Sequence, residues 1–308
     1  VVKRVPMPLW QSLLIRAIAI VAAFLVCTLL SSILIGKTPM QFVSTFFKGT
    51  LGSSRRIWNL AKDAAKLLCI SLAVTPAFKM RFWNIGGEGQ FIFGAISAAT
   101  VAFKLGPVLP QAVTLVLMCL AAMVISGLYG LFVAALKVKF GTNETLMTLM
   151  LNYIALHILI FLSEDKGEWN FFLDPESLRP VFASFSKIVS FPSIPMGGKF
   201  ALNICVVLTL LIGILIYIYL KYTKQGYEIA VVGDSAGTAH YAGMKVNTIV
   251  LRTVFFSACL IGLAAAFKVG TAGMLSTAIT DDVGWTGIIV AWLSQLNTAV
   301  IFVVSALI

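Results

Sequence analysis

The segment from Phe82 to Phe91 reads FWNIGGEGQF. It places two amides, Asn84 and Gln90, and one carboxylate, Glu88, among three glycines, Gly86, Gly87 and Gly89. Such a set can exchange hydrogen bonds with a polar solute while the glycines let the backbone come close to it. Trp83 and Phe91 stand at either side, where they could flank a planar ring or anchor at an interface. The chain shows no Ser/His/Asp set, paired carboxylates, HExxH, Walker-type glycine loop or GxSxG. These residue types point away from an enzyme or an ATP-binding chain and toward passage or recognition.

The elements that carry this segment follow from composition. Hydrophobic residues make up 59% of 308 and charged residues 11%, against about 25% charged in a soluble domain. Mean hydropathy is +0.98. Runs of roughly 20 apolar residues can cross a bilayer as helices, and they recur at 12–35, 58–78, 88–104, 108–136, 143–162, 200–220, 248–269 and 284–308. The expected fold is all-α, a polytopic helical membrane protein with about eight spans in a single domain, 1–308. No period-2 alternation supports a barrel. The last run ends at Ile308 without a flanking charge, which reads either as a trimmed chain or as an unfinished span. Cys27, Cys69, Cys119, Cys205 and Cys259 all sit inside apolar runs without metal-ligand spacing, which reads as buried free thiols.

The net charge is +11, with basic residues scattered at the ends of apolar runs rather than gathered in a nucleic-acid patch. Lys and Arg concentrate on cytoplasmic loops. Lys3, Arg4 and Arg16 place the N-terminus inside, Lys137 and Lys139 do so for the loop before the fifth run, and Lys221, Lys224 and Lys245 for the loop after the sixth. The stretch 164–200 holds five of the twelve acids and reads as an external segment, ordered by four prolines and several aromatics. The loop 36–57 breaks the pattern, because alternation puts it outside although it carries Lys37, Lys48, Arg55 and Arg56; it is expected to lie along the membrane surface. Residues 222–247 read as a cytoplasmic loop with an apolar side formed by Val231, Val232, Ala236, Ala239 and Tyr241. An exposed apolar face asks for a covering partner.

Two readings of 84–90 remain open on these grounds. Glycines weaken a helix by about 1 kcal/mol each relative to Ala, and irregular backbone at membrane depth is tolerated only where protein or a wet cavity surrounds it. A broken helix lining a translocation path satisfies that condition. A tight turn with Glu88 capping the new helix start satisfies it too. In GTNETLMTLMLNYIAL, Thr142 or Asn143 is a good N-cap and Glu144 complements the helix dipole. Asn152 and His157 lie deeper and read as interhelical hydrogen-bonding groups.

Three segments together carry a resemblance. FWNIGGEGQFIFGAISAA, GTNETLMTLMLNYIAL and GYEIAVVGDSAGTAHYAGMKV resemble the permease subunits of bacterial ABC importers, and GWTGIIVAWLSQLN at 284–297 is similar to a further segment of that group. The likeness covers about residues 56–297. It is strongest to the simple-sugar and nucleoside branch of the branched-chain amino acid and ribose permeases, through the order Asn-Ile-Gly, then Glu-Gly-Gln. It implies the permease half of an ATP-driven importer of nucleosides or simple sugars, in the bacterial cytoplasmic membrane, with no cofactor of its own. The implied partners are cytoplasmic ATP-binding subunits, a second permease, identical or homologous, and an external substrate-binding protein. Trp83, Asn84, Gly86, Gly87, Glu88 and Gln90 would line the substrate path. Gly226, Gly233, Ala239, Tyr241 and Gly243 match the coupling loop that meets the ATPase. Ala230, Ser235, His240 and Lys268 depart from the family's usual Arg, Asn, Arg and acid. Family members run one or two spans further, which implies nine or ten in all. The competing readings are an ion-gradient-driven transporter, an importer of ribose or branched-chain amino acids, and a structural membrane protein. A gradient-driven transporter would show several intramembrane acids and paired broken helices, whereas Glu88 is nearly alone and no second glycine-rich break is evident.

Overall fold

A computed structural model describes residues 8–186, 189–195 and 201–308. Lys3 and Arg4, which point the N-terminus inward, lie outside these residues, as do 187–188 and 196–200 of the 164–200 segment. The chain divides into two compact units between Leu60 and Ala61.

The first unit holds α1 (Leu9–Ile35) and α2 (Pro39–Leu51). Helix α1 stops at Gly36, whose left-handed φ of 69° lets its N–H return to the Ser32 carbonyl. Three residues later α2 starts with a capping box, in which Thr38 and Gln41 satisfy each other's backbone N–H. Helix α2 has no buried residue, and Phe46 and Phe47 pack edge-on to each other and against Phe24 of α1. The expected surface-lying loop is thus a short amphipathic helix.

The second unit is built from α3 (Ser54–Lys79, which begins before the division), α4 (Gly87–Leu105), α5 (Gln111–Phe140), α6 (Glu144–Glu164), α7 (Ile204–Tyr222), α8 (Lys224–Asp234), α9 (Ala236–Tyr241), α10 (Val246–Ala272), α11 (Val283–Leu293) and α12 (Thr298–Leu307). Among the described residues, five stretches are long and apolar enough to cross a membrane: Leu14–Ile35, α5, α6, α7 and α10. Helix α3 falls short because its first half carries Arg55, Arg56, Lys62, Asp63 and Lys66, and α4 because it opens with Glu88 and Gln90. Both are nevertheless buried over most of their inner length, and a helix sheathed by protein need not match lipid. The eighth expected span is corrected. Residues 284–308 form two short helices parted at Ser294–Asn297, where Gln295 and Leu296 are left-handed at φ 51° and 56°.

Helices α4, α5 and α10 form the centre. Small residues let them approach, as expected where packing rather than hydrophobicity joins membrane helices. Ser126 of α5 stands between Gly94 and Gly262, and a Cβ added at Gly262 would fall 2.2 Å from the Ala122 carbonyl oxygen. Ser257 of α10 donates to the Ala73 carbonyl of α3 at 2.7 Å. The 164–200 segment is ordered where described. Its β1 (Ser193–Pro195) pairs antiparallel with β2 (Ala201–Asn203), which lies just beyond it, a small exception to the helices of the described residues. Phe185 donates its N–H to the Gly273 carbonyl, and Phe171, Phe172 and Phe185 gather around Phe103 of α4. The segment therefore caps the ends of α4 and α10.

This packing predicts that Gly262→Val destabilises the protein by about 1–3 kcal/mol, the usual cost of overpacking. Gly49→Ala, with nothing within 4 Å of the added carbon, should leave the melting temperature unchanged or slightly raised. Thermal unfolding in detergent checks both; equal melting of the Gly262 variant and the parent would contradict the packing.

Candidate functional site: a satisfied helix break

Helix α3 ends in a turn rather than fraying. Arg81 is left-handed at φ 59°, a conformation that usually falls to Gly at a helix stop, and Phe82 returns its N–H to the Ala77 carbonyl at 3.0 Å. Lys137 holds this corner. Its ammonium pairs with Glu144 and lies 5.3 Å from the centre of the Phe82 ring. From there the chain runs non-helically to Gly86 and enters α4 at Gly87.

Inside a membrane bundle this backbone has no water to bond, and side chains from the break itself, α5 and α6 take its place. The Asn84 and Gln90 amides pair reciprocally, at 3.0 and 3.2 Å. Asn84 Oδ1 also accepts from the Gly86 N–H at 3.1 Å. From α6, Thr148 Oγ1 accepts from the Ile85 N–H at 3.2 Å. Asn152, one helical turn on, accepts from the Gly89 N–H at 2.8 Å and donates to the Ile85 carbonyl at 2.9 Å. From α5, Ser126 donates to the Gln90 carbonyl at 2.5 Å.

Glu88 does not cap its own helix. Its Oε1 accepts from the Gly284 N–H at 2.8 Å and the Trp285 N–H at 3.3 Å, both at the start of α11. A carboxylate there meets free N–H groups and the positive end of the helix dipole. Gly284 permits the approach, since an added Cβ would fall 2.7 Å from the Glu88 nitrogen. The first turns of α4 and α11 are thereby clasped together. At the other end of α11, Trp292 stacks on Trp83 with centroids 5.1 Å apart and planes 16° apart, and Phe78 meets both edge-on.

Asn84 and Gln90 are 0% and 1% exposed and bonded to each other. Glu88 is buried against α11, Gly86 and Gly87 are largely enclosed, and Phe91 is buried. Trp83 is the member that reaches the surface, at 45% exposure. The amides are brought together, but toward each other rather than toward an open channel. Asn152 makes the interhelical contact its position suggested, whereas His157 is exposed. Thr148, Ser126, Gly284, Trp285 and Trp292 were not singled out. The four-residue spacing of Thr148 and Asn152 on α6 was a signal for the first.

The 222–247 loop is a helix pair. Thr223 caps α8, and Ser235 ends it and caps α9. Its apolar side differs from expectation. Ile229, Val232 and Ala239 are buried on Met80, Phe82, Val133 and Ile249 of the same chain, while Ala236 is exposed and Tyr241 is 97% exposed. The chain covers its own apolar face. Gly233 rests on the end of α3, where a Cβ would sit 2.0 Å from the Lys79 carbonyl oxygen, and Gly226 rests likewise on the end of α7. Gly243 makes the turn after α9 at φ 77°. Glu228 pairs with Arg252 at 2.9 Å, tying α8 to α10.

The fold and this buried break define a multi-pass helical membrane protein whose irregular backbone is sheathed by its own helices. The chain belongs to the family described as branched-chain amino acid transport system / permease component, which matches residues 56–308. It is similar to the nucleoside ABC transporter permease protein of Lactococcus lactis subsp. cremoris (strain MG1363), at 26% identity over 287 residues, covering 92% of this chain and 78% of that one. It is 28% identical over 302 residues to the guanosine ABC transporter permease protein of Bacillus subtilis (strain 168), covering 96% and 82%. The glucose ABC transporter permease protein of Haloferax volcanii is 28% identical over 274 residues, covering 85% and 69%. No solved structure matches the chain.

The clasp predicts a graded response at Glu88. Glu88→Ala leaves two N–H groups without an acceptor and should cost about 1–3 kcal/mol; Glu88→Gln, which keeps a carbonyl oxygen, should cost less. Thermal unfolding in detergent reads the order, and equal stability of all three proteins would contradict it. Asn84→Ala and Gln90→Ala should each destabilise, with the double variant losing less than the sum because the two share one interaction.

Proposed function

We propose that this chain is the membrane-spanning half of an ATP-driven importer that carries nucleosides, or else simple sugars, across the bacterial cytoplasmic membrane. The observation that carries the reading is the similarity over more than nine-tenths of the chain to permeases named for nucleosides and guanosine. Energy comes from ATP hydrolysed on separate cytoplasmic subunits, which meet the α8–α9 loop. A second permease completes the membrane part, and an external binding protein delivers the solute. The N-terminus lies on the cytoplasmic side.

Within this reading the break serves the path through its exposed edge. Trp83, stacked on Trp292, offers a flat aromatic surface suited to a nucleobase or the apolar face of a sugar. Asn84, Gly86, Gly87, Glu88 and Gln90 stand behind it and fix the course of the backbone. In the coupling loop, Gly226, Gly233, Ala239 and Gly243 seat the helix pair on the bundle, and Tyr241 presents a free aromatic side chain to the ATPase.

The reading is tested by co-purifying the chain with its ATP-binding subunits and measuring ATP-dependent nucleoside uptake in proteoliposomes. Tyr241→Asp, at an almost fully exposed position, should leave insertion and melting intact while lowering solute-stimulated ATPase activity at least tenfold. Unchanged stimulation in an assembled complex would contradict the coupling role.

A further inference from the structure

At the end of the second unit remote from α8–α9, a cavity of about 210 Å³ opens between the first half of α3, the start of α7 and the end of α10. Its floor is apolar, with Ala65, Cys69, Val206, Ala264 and Phe267; Thr209, Asn203 and Thr271 add hydrogen-bonding groups. Its rim is ionic. Lys62, Asp63, Lys66 and Lys268 line it, and Asp281 pairs with two of these lysines.

The rim charges are mostly matched to one another. Lys66 lies 2.6 Å from Asp63 and 3.9 Å from Asp281, and Lys268 lies 2.5 Å from Asp281. Asp281 and Asp282 are both left-handed, at φ 48° and 54°. That conformation is uncommon outside Gly, and such backbone is often held where side chains must be aimed at a site. Here it sets one carboxylate between two ammonium groups.

We propose that this cavity receives an uncharged polyhydroxylated solute, a sugar or the ribosyl part of a nucleoside. The inference rests on the import function proposed above and assigns the place where the solute enters the permease. Alternating ammonium and carboxylate groups suit hydroxyls, which donate to one and accept from the other in charge-assisted bonds. An anion would have to displace carboxylates already seated on Lys66 and Lys268. The Phe267 ring and the aliphatic floor suit the carbon face of such a solute, in keeping with pockets that pair apolar walls with a few placed polar groups. Lys62 leaves one positive charge over at the rim, which favours electron-rich oxygen.

The test uses the full chain in nanodiscs. Equilibrium dialysis at millimolar concentration measures binding of radiolabelled guanosine, glucose and, as the anionic arm, guanosine monophosphate. Ala272 also lines the cavity and is exposed, so Ala272→Trp obstructs the rim, and Lys268→Met removes one ammonium. The proposal expects guanosine or glucose to bind and to weaken at least tenfold in both variants, with melting temperatures held. No neutral solute bound, binding untouched by both variants, or preference for the monophosphate would each overturn it. Uptake by the assembled transporter is measured in parallel. Cavity binding without ATP-dependent uptake would sink the import reading and leave the site; uptake unaffected by either variant would sink the site and leave the import reading.

Discussion

Backbone that leaves a helix inside a membrane bundle must find every hydrogen bond within the protein, and this constraint organises the second unit. An unpartnered buried N–H or C=O costs roughly 1–3 kcal/mol even by the milder measures. The residues between α3 and α4 therefore draw side chains from α5 and α6, and the start of α11 draws Glu88 from α4. Once these groups are fixed, the relative placement of four helices is fixed with them. The small residues of α4, α5 and α10 follow from the same demand, because hydrogen bonds of this length hold only if the helices come close.

The clasp also relates the two breaks of the fold. Glu88 joins the starts of α4 and α11, and the Trp83–Trp292 stack joins the first break to the far end of α11, next to the second break at Ser294–Asn297. Helix α11 is thus held at both ends by the segment around the first break. Gly233 of α8 seats on the last carbonyl of α3, directly before that break. A displacement of α8 has a short mechanical route into the break, through contacts rather than through a long chain of intermediates. The cavity between α3, α7 and α10 lies toward the other end of α3.

Much of this was legible in the sequence, and the rest was hidden for identifiable reasons. Apolar runs located the long helices, and the cluster of Gly, Asn, Glu and Gln located the first break. Pairing of Asn84 with Gln90 was not legible, because an amide in a sequence carries no sign of whether it faces solute or another amide. The partner of Glu88 lies 196 residues away, beyond any local pattern. The second break escaped because Gln295 and Leu296 adopt left-handed backbone without a Gly or Pro to mark it, although the polar SQLN within an apolar run was a hint. The apolar side expected for 222–247 is broken because Ser235 ends one helix and starts another. The 3.6-residue phase does not continue across it, so Tyr241 points outward while Val232 and Ala239 point in.

The central claim is that the Ile85, Gly86 and Gly89 amides of the break and the Gly284 and Trp285 amides of α11 are bonded to side chains within the protein. Hydrogen exchange followed by mass spectrometry in lipid nanodiscs reads it directly on the peptides covering Phe82–Phe91 and Val283–Thr286. Protection of the Ile85, Gly86, Gly89, Gly284 and Trp285 amides comparable to that of the middle of α10 is the predicted result. Exchange at the rate of an exposed loop would contradict the account.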